Sequence, residues 1–245
     1  MGNVSKIDLI PWDPDSLAHR TCLRQQRVEC SWHQEKVDTV WREEQTKGDK
    51  CIYWIVLSSD ESYEQTKSLL DETKPQKRPQ SLILAQGNGE LQDTATSINA
   101  VAREPSQQSF VPIGHISLDS KNADASKLDL DLPQRGVYWV KTFFVSHSFQ
   151  SQGIGRAAMD EVETMAVQEP LCAQTLMLDT VQKDDQRRED FSAVFYGDPP
   201  KITNEEWYAR RDYRLVKTVQ NYYGVVDKTG KVWDVKTVFM RRDLV

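Results

Sequence analysis

The chain has 245 residues, enough for one large domain or two small ones at about 150 residues per domain. Its 31 Lys and Arg stand against 37 Asp and Glu, a net charge of −6, which argues against the basic face a nucleic-acid binder needs. At 38% apolar and 28% charged the composition is leaner than that of most globular chains, so part of the sequence is expected outside the packed core. In chain order, Ile7–Ile10 reads as a short strand ended by Pro11, and Asp13-Pro14-Asp15 as the cap and first turn of a helix. From Leu17 to Lys47 the sequence is polar and lacks Gly, with Trp32 and the set Val37, Val40, Trp41 at helical spacing. That pattern suits one or two helices lying on a core, stopped by Gly48.

Cys51–Leu57 and Pro112–Leu118 are short β-branched and aromatic runs, the pattern of buried strands. Between them, Asp60–Ser109 offers one possible helix (Glu61–Thr73) and then Lys, Gln, Ser, Thr, Asn, Gly and Pro, interrupted by the apolar patch Leu82–Leu84. Such a composition buries too little apolar surface to offset its ordering entropy, so residues 60–109 are expected to form a peripheral, flexible insertion. Val137–Val145 is a strong strand, Ser148–Gln152 a polar turn, and Gly153–Val167 a helix with Ile154, Ala158, Val162, Met165 and Ala166 on one face. Leu176–Leu178 makes the next strand, ending at Asp179. A charged stretch with Pro199-Pro200 leads to a helix over Asn204–Arg211, and two last strands flank the Asp227–Gly230 turn. The order of elements predicts a mixed α/β fold without repeats.

The longest apolar stretch, Tyr53–Leu57, is far short of the roughly 20 residues of a membrane-spanning helix, and no membrane partner is expected. The first six residues carry neither a myristoylation pattern nor the start of a signal peptide, so a cytoplasmic or nuclear protein is expected. Cys22, Cys30, Cys51 and Cys172 are scattered without a CxxC pair, which suggests reduced structural thiols and no metal site.

The most informative segment is Gln150-Ser151-Gln152-Gly153-Ile154-Gly155-Arg156, placed after a strand and opening a helix. A helix start exposes unpaired backbone N–H groups and the positive end of the macrodipole, and Gly153 and Gly155 let a phosphate approach that backbone. No Gly-Lys-Ser/Thr follows, and the third glycine and downstream acid of a dinucleotide fingerprint are missing, which counts against nucleotide hydrolysis and NAD chemistry.

On these residues the sequence resembles the GNAT superfamily of N-acetyltransferases, whose acetyl-CoA signature is Gln/Arg-x-x-Gly-x-Gly/Ala; Gln150, Gly153 and Gly155 match it. Trp207-Tyr208-x-x-x-Asp212-Tyr213 looks like the family's aromatic-Tyr-x-x-x-Gly-Phe helix ending, and Asn204 stands where that helix commonly has Asn. His147, Ser151 and Asp212 depart from the family's frequent Pro, Gly and Gly. The resemblance runs from Ile7 to Arg242 and implies one GNAT-like acyl-CoA N-acyltransferase domain over residues 1–245, with 60–109 as the insertion. It implies acetyl-CoA as co-substrate, seated by the backbone of Phe144 and Val145, by Gln150, Ser151, Gln152, Gly153, Ile154, Gly155 and Arg156, and by Asn204. It also implies that Tyr208 protonates the departing thiolate.

A general base must take a proton from the incoming ammonium. Asp179, at a strand end, is a candidate, as are His115 and Asp119, which share one face of their strand by the period of two. Trp32, His33 and Tyr222, with Tyr223 and Trp233, are the expected acceptor-lining residues. The reading is an N-acetyltransferase, a monomer or homodimer, moving acetyl to a primary amine of a small molecule by direct attack. The alternatives are a protein or peptide acetyltransferase (lysine or N-terminal) and a non-catalytic CoA-binding module.

Overall fold

The computed structural model describes residues 7–58 and 89–244. The expected helix over 61–73 and the patch Leu82–Leu84 fall outside them. Among the described residues no helix is long and apolar enough to cross a membrane. The chain divides into two compact units, residues 1–121 with 140–166, and residues 122–139 with 167–245.

In the first unit, β1 (Ile7–Pro11) pairs antiparallel with β2 (Ile52–Leu57), which pairs antiparallel with β7 (Gly114–Asp119). Every residue of β7 is buried and β2 is buried through Val56, the two-sided burial that continuous apolar runs anticipate. Helix α1 (Leu17–Glu29) starts at Ser16, whose side chain accepts from the His19 amide. A 3-10 turn (Gln34–Lys36) and α2 (Val40–Lys47) follow. Gly48 ends α2 at φ +73°, and a Cβ there would come within 2.7 Å of the Ala100 backbone nitrogen, so both backbone angle and space require glycine. Trp12, Leu23, Val37, Trp41, Ile52, Trp54 and Val56 form the core beneath these helices.

The insertion expected over 60–109 is not peripheral at its C-terminal end. Residues 89–110 form β3 (Leu91–Gln92) paired with β6 (Ser109–Phe110), and β4 (Ser97–Ile98) paired with β5 (Val101–Ala102). Leu91 and Phe110 join the core cluster. Asp93 accepts two guanidinium bonds from Arg103, at 2.6 and 2.8 Å, and two more from Ser106. Composition averaged over residues 60–109 concealed Leu91, and its partner Phe110 lies just past that segment. Leu91→Ala is expected to cost about 2–5 kcal/mol, the range for truncating a buried leucine, read as a shift of the urea midpoint at constant slope.

His19 ties this segment down. Its Nε2 donates to the Gln92 carbonyl at 2.9 Å, while Nδ1 accepts from the Asp13 amide at 3.0 Å and from the Trp54 indole N–H at 3.1 Å. Burial, opposed by the Gln92 carbonyl and the carboxylates of Asp13 and Asp93, lowers its pKa below 6.5. The unfolded chain therefore binds the proton first, so His19 favours folding fully above pH 6.5 and progressively less as pH falls toward the lowered native value. His19→Gln is expected to flatten the decline in melting temperature between pH 7.5 and 5.5.

Strand β8 (Val137–Val145) runs through the division: Val137–Trp139 lie in the second unit and Val140 onward in the first. Helix α3 (Ile154–Val167) follows, burying Ile154, Ala158, Met159, Val162 and Ala166. In the second unit, Val137–Trp139 pair parallel with β9 (Thr175–Val181). Strand β9 pairs antiparallel with β11 (Lys236–Asp243), and β11 with β10 (Arg214–Gln220). Parallel pairing of β8 with β9 beside antiparallel pairings elsewhere makes the fold mixed α/β, as expected. Its core includes Leu130, Trp139, Met177 and Phe239. The charged stretch before Pro199 holds two short helices that its sequence does not announce, α4 (Lys183–Arg187) and α5 (Glu189–Phe195), and α6 spans Asn204–Ala209. The Asp227–Gly230 turn does not join β10 to β11 directly. It closes a smaller loop, bridged at Val226 and Val232, within their connection.

Candidate active site

In the first unit β8 ends at Phe144 and Val145, each 8% exposed. A Cβ on Gly114 of β7 would lie 2.3 Å from the Phe144 carbonyl oxygen, so a side chain at 114 would force the two backbones apart. The Ser146 amide donates to the Ile113 carbonyl at 2.9 Å, fixing where the strand gives way to the loop. A 3-10 turn (His147–Phe149) follows, pinned by the buried Phe149.

The expected cofactor loop is a preformed structure. Gln150 folds back so that its Nε2 donates to the Val145 carbonyl at 2.8 Å, and Gln152 Nε2 donates to the Ser148 carbonyl at 2.9 Å. Ser151 and Gly153 have left-handed backbone, φ +63° and +86°. The position a Gly153 Cβ would occupy has no atom within 4 Å, so this backbone faces open space. At Gly155 a Cβ would meet only the Phe143 ring, at an ordinary 3.5 Å. Ile154 anchors the helix start in the core, and Arg156 is exposed. The Gly153 carbonyl accepts the Ala157 amide at 3.0 Å, so the amides N-terminal to it precede the helical ladder and are the groups an anion can occupy. This open, cationic helix end fits the pyrophosphate of CoA. His147 is tied to α1 through Glu29, with Nδ1 2.9 Å from Oε1.

The expected bases on β7 are committed elsewhere. Asp119 lies 2.7 Å from the Lys50 ammonium, and both side chains are nearly sealed from solvent. His115 is fully buried. The Gln26 amide donates to the Pro112 carbonyl, which leaves its Oε1 to accept the His115 Nδ1 proton at 2.6 Å; His115 Nε2 then receives Arg27 Nη1 at 3.3 Å. Burial, Arg27 and Lys50 all push the His115 pKa well below 6.5. With its lone pair held by a guanidinium, His115 is poorly placed to accept a substrate proton. Trp32 and His33 sit half-buried in the turn after α1, where Ser31 and His33 are left-handed, φ +64° and +53°.

In the second unit, α6 opens with a capping box in which Thr203 and Glu206 satisfy each other's backbone amides. The Asn204 amide donates to Gln186 Oε1 at 2.8 Å, so Asn204 helps dock α6 on α4. Tyr208 lies on α6 with its ring edge-on to Trp207 and Tyr213, at centroid distances of 5.0 and 5.9 Å. Asp179, on β9, accepts the Tyr223 hydroxyl at 2.5 Å. Burial chiefly, then Asp179, raises the Tyr223 pKa well above 10, so this phenol stays protonated and donates. The Tyr222 hydroxyl is buried without a partner among the described residues. Trp233, expected at the acceptor, is instead 3% exposed in an aromatic cluster with Phe191 and Phe195, its indole N–H bonded to Asp227.

Three residues of these networks were not singled out from sequence: Gln26, Arg27 and Lys50. A signal existed for the first two, since they follow Leu23 at i+3 and i+4 on the buried face of α1, where polar side chains must find internal partners.

A family model described as the acetyltransferase (GNAT) family matches residues 63–192, more than half of the chain. The match takes in the glycine loop, His115 and Asp179 and ends before Asn204 and Tyr208. No curated protein sequence matches the chain. Among solved structures, Arabidopsis thaliana NAA60 in complex with a bisubstrate analogue superposes with a TM-score of 0.50 at 13% identity, covering 98% of this chain and 99% of that one. The NAA60 complex with acetyl-CoA gives 0.48 at 12% identity over 97% and 98% of the two chains. An aminoglycoside 6'-N-acetyltransferase from Enterococcus faecium gives 0.49 at 11% over 98% and 97%. By its family match the chain belongs to the GNAT family of acetyltransferases, with acetyl-CoA as the acetyl donor.

Proposed function

We propose that the protein acetylates a primary amine of a small molecule by direct attack on acetyl-CoA, without a covalent enzyme intermediate. The observation that carries this reading is the Gln150–Arg156 loop, whose Gly153 presents unobstructed backbone at the start of α3. In this reading the amides of Gly153, Ile154, Gly155 and Arg156 hold the pyrophosphate, with Ser151 and Gln152 bordering it and Gln150 keeping the loop in shape. The backbone of Phe144 and Val145 hydrogen-bonds the pantetheine arm, and Asn204 supports the helix that carries Tyr208. Acetyl-CoA supplies the activated thioester.

Of the three proposed bases only Asp179 stays in this role, because its neighbour Tyr223 is a neutral donor rather than a cation. Asp179 takes the proton of the attacking ammonium and Tyr208 gives one to the departing sulfur, assignments supported by the resemblance of the Trp207–Tyr213 segment. Trp32, His33 and Tyr222 are the proposed contacts for the acceptor. We place the reaction in the cytoplasm or nucleus. An amine library read by thiol release and product mass tests the function: acetylation of one or more small amines is expected, whereas exclusive acetylation of basic peptides sinks the small-molecule reading.

A further inference from the structure

Arg27 is a buried cation without an ion-pair partner among the described residues. It lies in the last turn of α1 and is 5% exposed. Its Nε donates to the Trp32 carbonyl at 2.7 Å, its Nη1 to His115 Nε2 at 3.3 Å, and its face lies 5.3 Å from the centre of the Trp41 ring. These partners and the negative end of α1 supply partial charges only. Among the described residues no carboxylate makes an ion pair with it. Glu35 is near enough to favour the charged form, but its carboxylate bonds His33. The neighbouring Lys50 is neutralised by Asp119, and His115 is held neutral, so the cluster keeps one net positive charge inside a protein whose total is −6.

An unpaired buried charge is strongly destabilising unless a ligand supplies its partner. Arg27 Nη2 has no partner among the described residues, which leaves an edge of the guanidinium fork for an incoming oxyanion. The fork also fixes, through the Trp32 carbonyl, the turn whose Ser31 and His33 are both held in left-handed backbone, a strain typical of binding sites. We propose that Arg27 anchors a carboxylate carried by the acceptor, which makes the substrate an amino-carboxylate small molecule; this rests on the amine reading above. A single guanidinium beside the acid Glu35 matches one carboxylate better than a doubly charged phosphate.

Matched pairs that differ only in the carboxylate, lysine against cadaverine and tyrosine against tyramine, test this by thiol release. For wild-type protein at least one carboxylate-bearing member is expected to exceed its partner tenfold or more in kcat/KM. Arg27→Gln should bring that ratio close to one, while Arg27→Lys, which keeps the charge without the fork, should retain part of it. A wild-type preference for the decarboxylated amines, or a ratio unchanged by Arg27→Gln, overturns the proposal. If no amine is turned over, the function reading fails by itself. Calorimetry of wild-type protein with N-acetyllysine and N-acetyltyrosine against their methylamides then decides: tighter binding of the free carboxylates supports the anchor, and equal or absent binding of both refutes it. The wild-type comparison stands even if Arg27→Gln does not fold.

Discussion

Gly153→Glu is expected to weaken acetyl-CoA binding about a hundredfold while leaving the circular dichroism spectrum intact. The comparison that isolates the cause is Gly153→Ala. Both substitutions pay the strain of a side chain at φ +86°, about 1–2 kcal/mol for the left-handed region, and the Cβ that both add has open space around it. Only glutamate adds negative charge where a pyrophosphate would sit. Like charges about 4 Å apart repel by roughly 4 kcal/mol at an effective dielectric of ~20, and solvent screening of this exposed loop reduces the loss to about a hundredfold in Kd. Calorimetry should therefore show a modest loss for alanine and a far larger one for glutamate. Equal affinities for the two variants would mean that the pyrophosphate does not use this helix end.

The glycine loop was legible in the sequence because its proposed role depends on backbone, and backbone requirements leave a signature at fixed spacing. A strand, two glycines at the right interval and an amphipathic helix can be read without tertiary contacts, and the described Val137–Val145, Gly153 and Ile154–Val167 follow that reading. The proton carriers were less legible, since their fitness depends on what lies across from them. His115 and Asp119 share the face of β7 that the period of two assigns them, yet Arg27 and Lys50 arrive from distant parts of the chain and occupy their acid–base atoms. Asp179 was proposed from its place at a strand end and meets a phenol. The helices α4 and α5 escaped because each is under eight residues, too short to show a periodic apolar face. Residues 89–110 escaped for the opposite reason, two apolar anchors diluted in a polar segment.

The last expected result separates catalysis from cofactor binding. Tyr208→Phe retains the ring that stands edge-on to Trp207 and Tyr213, so the packing of α6 and the melting temperature should hold. What it removes is the phenolic proton. If that proton goes to the departing CoA sulfur, the loss must appear in kcat and not in the Kd for acetyl-CoA, because the interaction is made only as the bond breaks. A positioned general acid contributes about 10²–10⁴ in rate, which sets the expected fall. The KM for the amine should stay near the wild-type value. A fall of less than about tenfold would assign the proton to water and leave Tyr208 as a packed aromatic, since a replaceable donor contributes little of the barrier reduction. A rise in the Kd for acetyl-CoA equal to the loss in kcat/KM would indicate a cofactor contact. Only a fall in kcat at unchanged cofactor affinity supports the acid.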